Sequence, residues 1–130
     1  MRNIKDDGLI ASVNLPAAGA NAVTPALSVG TGPHLEVVEV LVEIPALAGV
    51  SDSKALTVTL EHGDTLTGSF TTVTTLGSQV LTGAGGTGVS ALSWQFRLPS
   101  DVKACIRAKA ALESAGGTIT DDEITLTVLN

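Results

Sequence analysis

The chain has 130 residues, seven basic against thirteen acidic, for a formal charge of −6; it holds two histidines, one cysteine and no tyrosine. That length suits one domain, able to bury roughly two-thirds of the surface its unfolded chain exposes. Direct nucleic-acid binding is not expected, because it needs clustered cations to displace phosphate counterions, and only Lys103, Arg107 and Lys109 stand close together.

Hydrophobic residues make up 44% and charged residues 15% of the chain, and mean hydropathy is +0.38. This is apolar for a free monomer, so another subunit is expected to cover one face. Cys105 has no second cysteine to pair with. No stretch approaches the ~18 apolar residues of a membrane span, and acids stand at Asp6 and Asp7, where a signal peptide would carry its apolar run. The expectation is synthesis in a reducing cytoplasm, with no membrane partner.

In chain order, residues 1–8 are polar, end at Gly8 and read as an extended N-terminal arm; the domain proper is 9–130. A first strand is predicted over 9–15, stopped by Pro16, and a weak second over 22–28, interrupted by Pro25. Gly30-Thr31-Gly32-Pro33 breaks the chain. Residues 35–44 form the best long strand, with Val38, Val40, Val42 and Ile44 on one face and Val37, Glu39, Leu41 and Glu43 on the other. Residues 54–61 form the next strand, with Leu56, Val58 and Leu60 inward and Thr57 and Thr59 outward. Thr-rich strands at 69–75 and 78–82 precede the loop Gly83-Ala84-Gly85-Gly86-Thr87-Gly88. Residues 92–98 alternate apolar and polar without a break, the period of a half-buried strand, which places Trp94 and Phe96 in the core. Ile124, Leu126 and Val128 mark the last strand, with Thr125 and Thr127 outward.

Residues 100–116 invite two readings. Ser100 could cap an Ala-rich helix closed by glycine. Yet Lys103, Cys105, Arg107 and Lys109 alternate strictly with Ala104, Ile106, Ala108 and Ala110, and on a helix those apolar groups would scatter around the axis. The periodicity predicts a strand. Eight or nine short strands separated by turns predict a single-domain, all-β, antiparallel β-sandwich of jelly-roll type.

Chemistry-bearing constellations are sparse. The glycine loop matches G-x-G-x-x-G, but a strand follows it where dinucleotide binding needs a helix; it reads as a hairpin connection. Glu61-His62-Gly63-Asp64 groups three potential metal ligands, yet it also reads as a turn closing a strand. Asp121-Asp122-Glu123 lacks the alternation of a calcium loop and reads as a solvated approach to the last strand. Gly88-Val89-Ser90-Ala91-Leu92 lacks the second glycine of a nucleophile elbow. Cys105, between two cations, reads as a small surface or interface residue. No catalytic, cofactor-binding or metal-binding residue is assigned, and the chain is not expected to be an enzyme. Val37 and Leu41, facing away from the Val38/Val40/Val42 row, are candidate subunit contacts, as are Ile4, Leu9 and Ile10 in and beside the arm; cover by a loop or by the arm would explain Val37 and Leu41 equally well.

One family is similar in its order of parts. Val13-Asn14-Leu15-Pro16-Ala17-Ala18-Gly19-Ala20, residues 35–45, Leu56-Thr57-Val58-Thr59-Leu60-Glu61-His62, Leu81-Thr82-Gly83-Ala84-Gly85-Gly86 and Arg97-Leu98-Pro99-Ser100-Asp101 together resemble the jelly-roll capsid cement (decoration) proteins of tailed bacteriophages. The resemblance spans residues 9–130 and consists of turn and strand patterns. It implies a structural virion protein, made in the bacterial cytoplasm and placed on the capsid exterior. Its partner would be the major capsid protein, and it would self-associate as a dimer or trimer. It also implies that residues 1–12 lie along the capsid or a neighbouring copy. The alternatives are another virion component, such as a tail or head-completion protein, a β-sandwich carbohydrate- or receptor-binding module, or a cupin-like enzyme whose His34 and His62 would converge with Glu61 or Glu36.

Overall fold

The computed structural model describes residues 10–30, 38–99 and 101–129. The N-terminal arm, Leu9 and the leading part of the strand predicted over 35–44 lie outside them. The described residues form an antiparallel all-β sandwich. Its strands are β1 (Ile10–Asn14), β2 (Asn21–Val23), β3 (Leu27–Ser28), β4 (Glu39–Ile44), β5 (Ala55–Gly63), β6 (Thr71–Thr72), β7 (Ser78–Thr82), β8 (Leu92–Arg97), β9 (Cys105–Leu112) and β10 (Glu123–Leu129). One sheet runs β1-β10-β4-β8. In the other, β9 and β5 are central, β2 and β3 flank β9, and β6 and β7 flank β5.

Alternation puts one face of each strand inside. Val40, Val42 and Ile44 of β4 meet Phe96, Trp94 and Leu92 of β8 on the inner face of the first sheet, with Leu126 and Val128 of β10 on the other side of β4. Leu56, Val58 and Leu60 of β5 face inward beside Leu112, Ala110 and Ala108 of β9, and all six are buried. The strand reading of 100–116 holds over Cys105–Leu112. Alternate side chains there are Ile106, Ala108, Ala110 and Leu112, so one face is continuously apolar.

Pro25 splits the second predicted strand into β2 and β3, since proline cannot donate to the ladder. The buried Thr24 repairs the gap. Its N–H donates to the Ala108 carbonyl at 2.9 Å, and its hydroxyl accepts the Ala108 N–H at 3.0 Å, which satisfies a buried donor that the interrupted strand would otherwise orphan.

Four expectations need correction. Trp94 and Phe96 face inward but are only half-buried, because β8 is the outermost strand of its sheet among the described residues. The predicted strand over 69–75 shrinks to β6 followed by a single 3-10 turn at Thr74–Leu76. His62 and Gly63 are not a turn: β5 continues through them, paired with Ile106 and Cys105 of β9. The glycine loop is not a hairpin either. It carries the chain from β7, paired to β5 in one sheet, to β8 in the other. Gly88 is required there: its φ is +74°, and a Cβ would stand 1.8 Å from the Leu47 carbonyl oxygen where Leu47 and Val89 bridge.

Candidate interaction surfaces

The outer faces of the two sheets differ in chemistry. On the four-stranded sheet, Ile10 of β1 lies opposite Thr127 of β10, and Thr127 lies opposite Leu41 of β4. Ile10 and Leu41, two of the residues expected at an interface, thus stand in one row with Thr127 between them. Both are partly exposed. Thr127 points outward as predicted, but it is 1% exposed, being central in its sheet with a large apolar side chain on each flank. The neighbouring position is also apolar: Leu129, half-buried, lies opposite Glu39. Beyond this strip the face turns polar through Glu39, Glu43, Ser93, Gln95 and Arg97. Glu39 is held from two sides, by the Gln95 Nε2 at 2.8 Å and the Arg97 Nε at 3.7 Å. The other interface candidates, Ile4, Leu9 and Val37, lie outside the described residues.

The outer face of the second sheet carries a charged cluster that sequence patterning did not reveal. Glu61 lies opposite Arg107 and is buried; its Oε1 accepts from Arg107 Nε at 2.7 Å, and Lys109 Nζ lies 4.0 Å from Oε2. The Phe70 ring covers the guanidinium, with Cζ 4.3 Å from its centroid, a cation–π contact. A buried carboxylate is tolerated only when paired, and β5–β9 register supplies the pairing. Phe70 reaches this place because residue 63 is glycine: a Cβ there would stand 2.6 Å from the Ser69 carbonyl oxygen and 3.3 Å from ring carbons of Phe70. The i, i+2 series Lys103, Cys105, Arg107 and Lys109 marks the face in the sequence, but the partner Glu61 comes from a strand 46 residues away.

Strand geometry separates the potential ligands grouped at 61–64. Glu61 belongs to the outer face and His62, beside the inward Ile106, to the other. His62 Nδ1 accepts the backbone N–H of Lys103 at 3.1 Å, and Asp64 lies 3.9 Å from Lys103 Nζ. These contacts tie the end of β5 to the segment leading into β9. Among the described residues, no three His, Cys, Asp or Glu side chains are grouped to hold a metal ion. Cys105, expected to be a surface or interface residue, is buried within the chain: it is flanked by Gly63 of β5 and Ser28 of β3. No described helix is long and apolar enough to cross a membrane.

A third feature is the rim formed by β8. Trp94 and Phe96 stand on the same face with centroids 4.6 Å apart and planes at 44°, half-exposed at the sheet's edge. Ser93, Gln95 and Arg97 on the other face are exposed.

No protein-family profile matches this sequence, and no characterised protein does. Among solved structures, the chain is similar to one described as "Crystal structure of PirA". The identity is 12%, the match covers 98% of this chain and 95% of the other, and the TM-score is 0.46. A likeness at that level carries no argument about what this chain does.

Proposed function

We propose that this protein is a structural virion component, a capsid cement protein that binds the outer surface of a phage head and stabilises contacts between major capsid subunits. The observation that carries the reading is the Ile10–Thr127–Leu41 row, an apolar strip on the outer face of the four-stranded sheet bordered by charged and polar side chains. An apolar centre with a polar rim is the make-up of a protein-binding patch, and two of its residues belong to the segments that carry the cement-protein resemblance or adjoin it. Many copies, each making a modest contact of roughly 1,000 Å² or more, would add up over a shell.

The strand order supports a jelly-roll reading of the sandwich. When β2 with β3, and β6 with β7, are each counted as one interrupted strand, the two sheets become 1-8-3-6 and 2-7-4-5, derived from the observed order. In that arrangement consecutive strands alternate between sheets except at the fourth and fifth, an eight-strand pattern shared by capsid and lectin domains among others.

Co-sedimentation with undecorated heads of the corresponding phage, followed by electron microscopy, tests the role. Saturable binding at fixed lattice positions is expected, and Leu41→Lys is expected to weaken it at least ten-fold while leaving the fold intact. Absence of binding to matching heads would overturn the reading. It would favour a tail or head-completion component, or a carbohydrate- or receptor-binding module, for which the half-buried Trp94–Phe96 pair at the rim is the first surface to probe.

A further inference from the structure

We infer that β8 pairs antiparallel with β8 of a second copy about a two-fold axis at Gln95, joining two four-stranded sheets into one. The inference begins with the hydrogen-bonding direction of the edge. The Leu98 N–H donates to the Val38 carbonyl at 3.1 Å, continuing the ladder in which Phe96, Trp94 and Leu92 lie opposite Val40, Val42 and Ile44. Successive residues of a strand direct their N–H and C=O groups to alternate sides. Ser93, Gln95 and Arg97 therefore direct theirs away from β4, to the side where the sheet ends.

β8 spans six residues, against five for β1 at the other edge of its sheet. On the second sheet, one edge is broken at Pro25 and the other by the 3-10 turn. An unprotected edge is a template for another strand, and proteins usually blunt it with lysine, proline or a bulge. β8 contains no lysine or proline, its one charged residue, Arg97, is the last of the strand, and its register with β4 is continuous.

The sequence of β8 fits itself in one two-fold register. With Gln95 opposite its symmetry mate, Ser93 faces Arg97 of the second copy and Arg97 faces Ser93, so every free N–H and C=O of the three residues is used. On the inner face the same register sets Trp94 opposite Phe96 of the second copy, extending the 4.6 Å aromatic pair across the axis and covering rings now half in water; cross-strand aromatic pairs are favourable. On the outer face the charges match. Arg97 is 71% exposed at its side chain. Across the axis it meets a small serine, behind which stands Glu43, an exposed carboxylate with no ion-pair partner among the described residues. Centring the axis on Arg97 would instead set two guanidinium groups face to face.

This pairing does not depend on shell binding. Sedimentation velocity over a wide concentration range is expected to show a reversible species of twice the 13.1 kDa chain mass. Gln95→Pro removes one edge N–H that β4 does not use, so the sandwich should fold and stay monomeric, with its β circular-dichroism spectrum retained. Gln95→Lys sets like charges opposite each other and is expected to weaken the dimer at least ten-fold at low salt. Should Gln95→Pro misfold, Gln95→Lys carries the test. Under oxidation Gln95→Cys should form a linked dimer while Ser93→Cys should not, because residue 93 faces 97 across the axis. A wild type that is monomeric throughout, a trimer, a dimer indifferent to Gln95→Lys, or linkage at 93 instead of 95 would overturn the proposal. Dimerisation without shell binding would leave it standing and remove only the cement role.

Discussion

Leu60 and Trp94 both point inward, but position within the sheet gives them different weight. Leu60 is in the central strand β5 and is 0% exposed; Leu60→Ala should cost about 2–5 kcal/mol, since the loss of transfer energy is compounded by a cavity that cannot collapse. Trp94 is already half in water, and Trp94→Ala should cost about 1–2 kcal/mol, below the ~3–5 kcal/mol of a fully buried ring. Urea denaturation, run in the Gln95→Pro background so that any dimerisation does not contribute, compares the two directly; equal losses would mean that β8 is covered. Thr24 is a quieter case. Thr24→Val conserves shape but leaves the buried Ala108 N–H without its acceptor, and should destabilise by about 1–3 kcal/mol. Thr24→Ser, which keeps the hydroxyl, should recover much of that loss in the same assay. Period-two patterning identified Leu60 and the phase of Trp94. It could not identify Thr24, whose partner is 84 residues away, nor the Glu61–Arg107 pair, for the same reason of distance.

Between the strands, a few close backbone approaches decide how the elements connect. Gly88 and Gly85 belong to the same loop and both have positive φ, but only Gly88 has another backbone against it; nothing lies within 4 Å of a Cβ at Gly85. Gly85→Ala should therefore cost only the left-handed backbone penalty, roughly 1–2 kcal/mol. Gly88→Ala should cost clearly more, because the Leu47–Val89 bridge must open to admit the methyl group. Thermal melts of the two variants measure the difference, and similar melting points would show that the bridge yields freely. The loop is further held by the Gly86 N–H donating to Asp52 Oδ1 at 2.9 Å. As a run of glycines in sequence it looks like slack between neighbouring strands. In the fold it crosses from one sheet to the other, and its glycines let it pass the 47–52 segment at backbone contact distance.

For the molecule as a whole, the two sheets close over an aliphatic core and leave three features outside it among the described residues: an apolar strip, a paired charge cluster and an aromatic rim. The strip and the rim belong to the same sheet, the strip on its outer face and the rim along its edge at β8. Pairing through β8 would place two strips on one continuous outer surface, so each dimer would offer a second copy of the contact to a repeating lattice. Linked contacts gain through effective concentration without any new chemistry. The acidic balance of the chain is consistent with solubility at high local concentration.

By itself, the sequence determined the all-β class, the strand rather than helix at 105–112, and the inward faces of β4, β5, β8 and β10. Each depends on alternation and turn residues within a few positions, and the backbone translates these directly into faces. It also supplied Ile10 and Leu41 as surface candidates. Only the tertiary structure decided that they share a row, that Glu61 pairs with Arg107, that Cys105 is buried and that Trp94 lies at a rim. Those outcomes depend on which strands become neighbours and which end a sheet. Pairing between strands far apart in the chain is set by the packing of the whole core, and no local pattern records it.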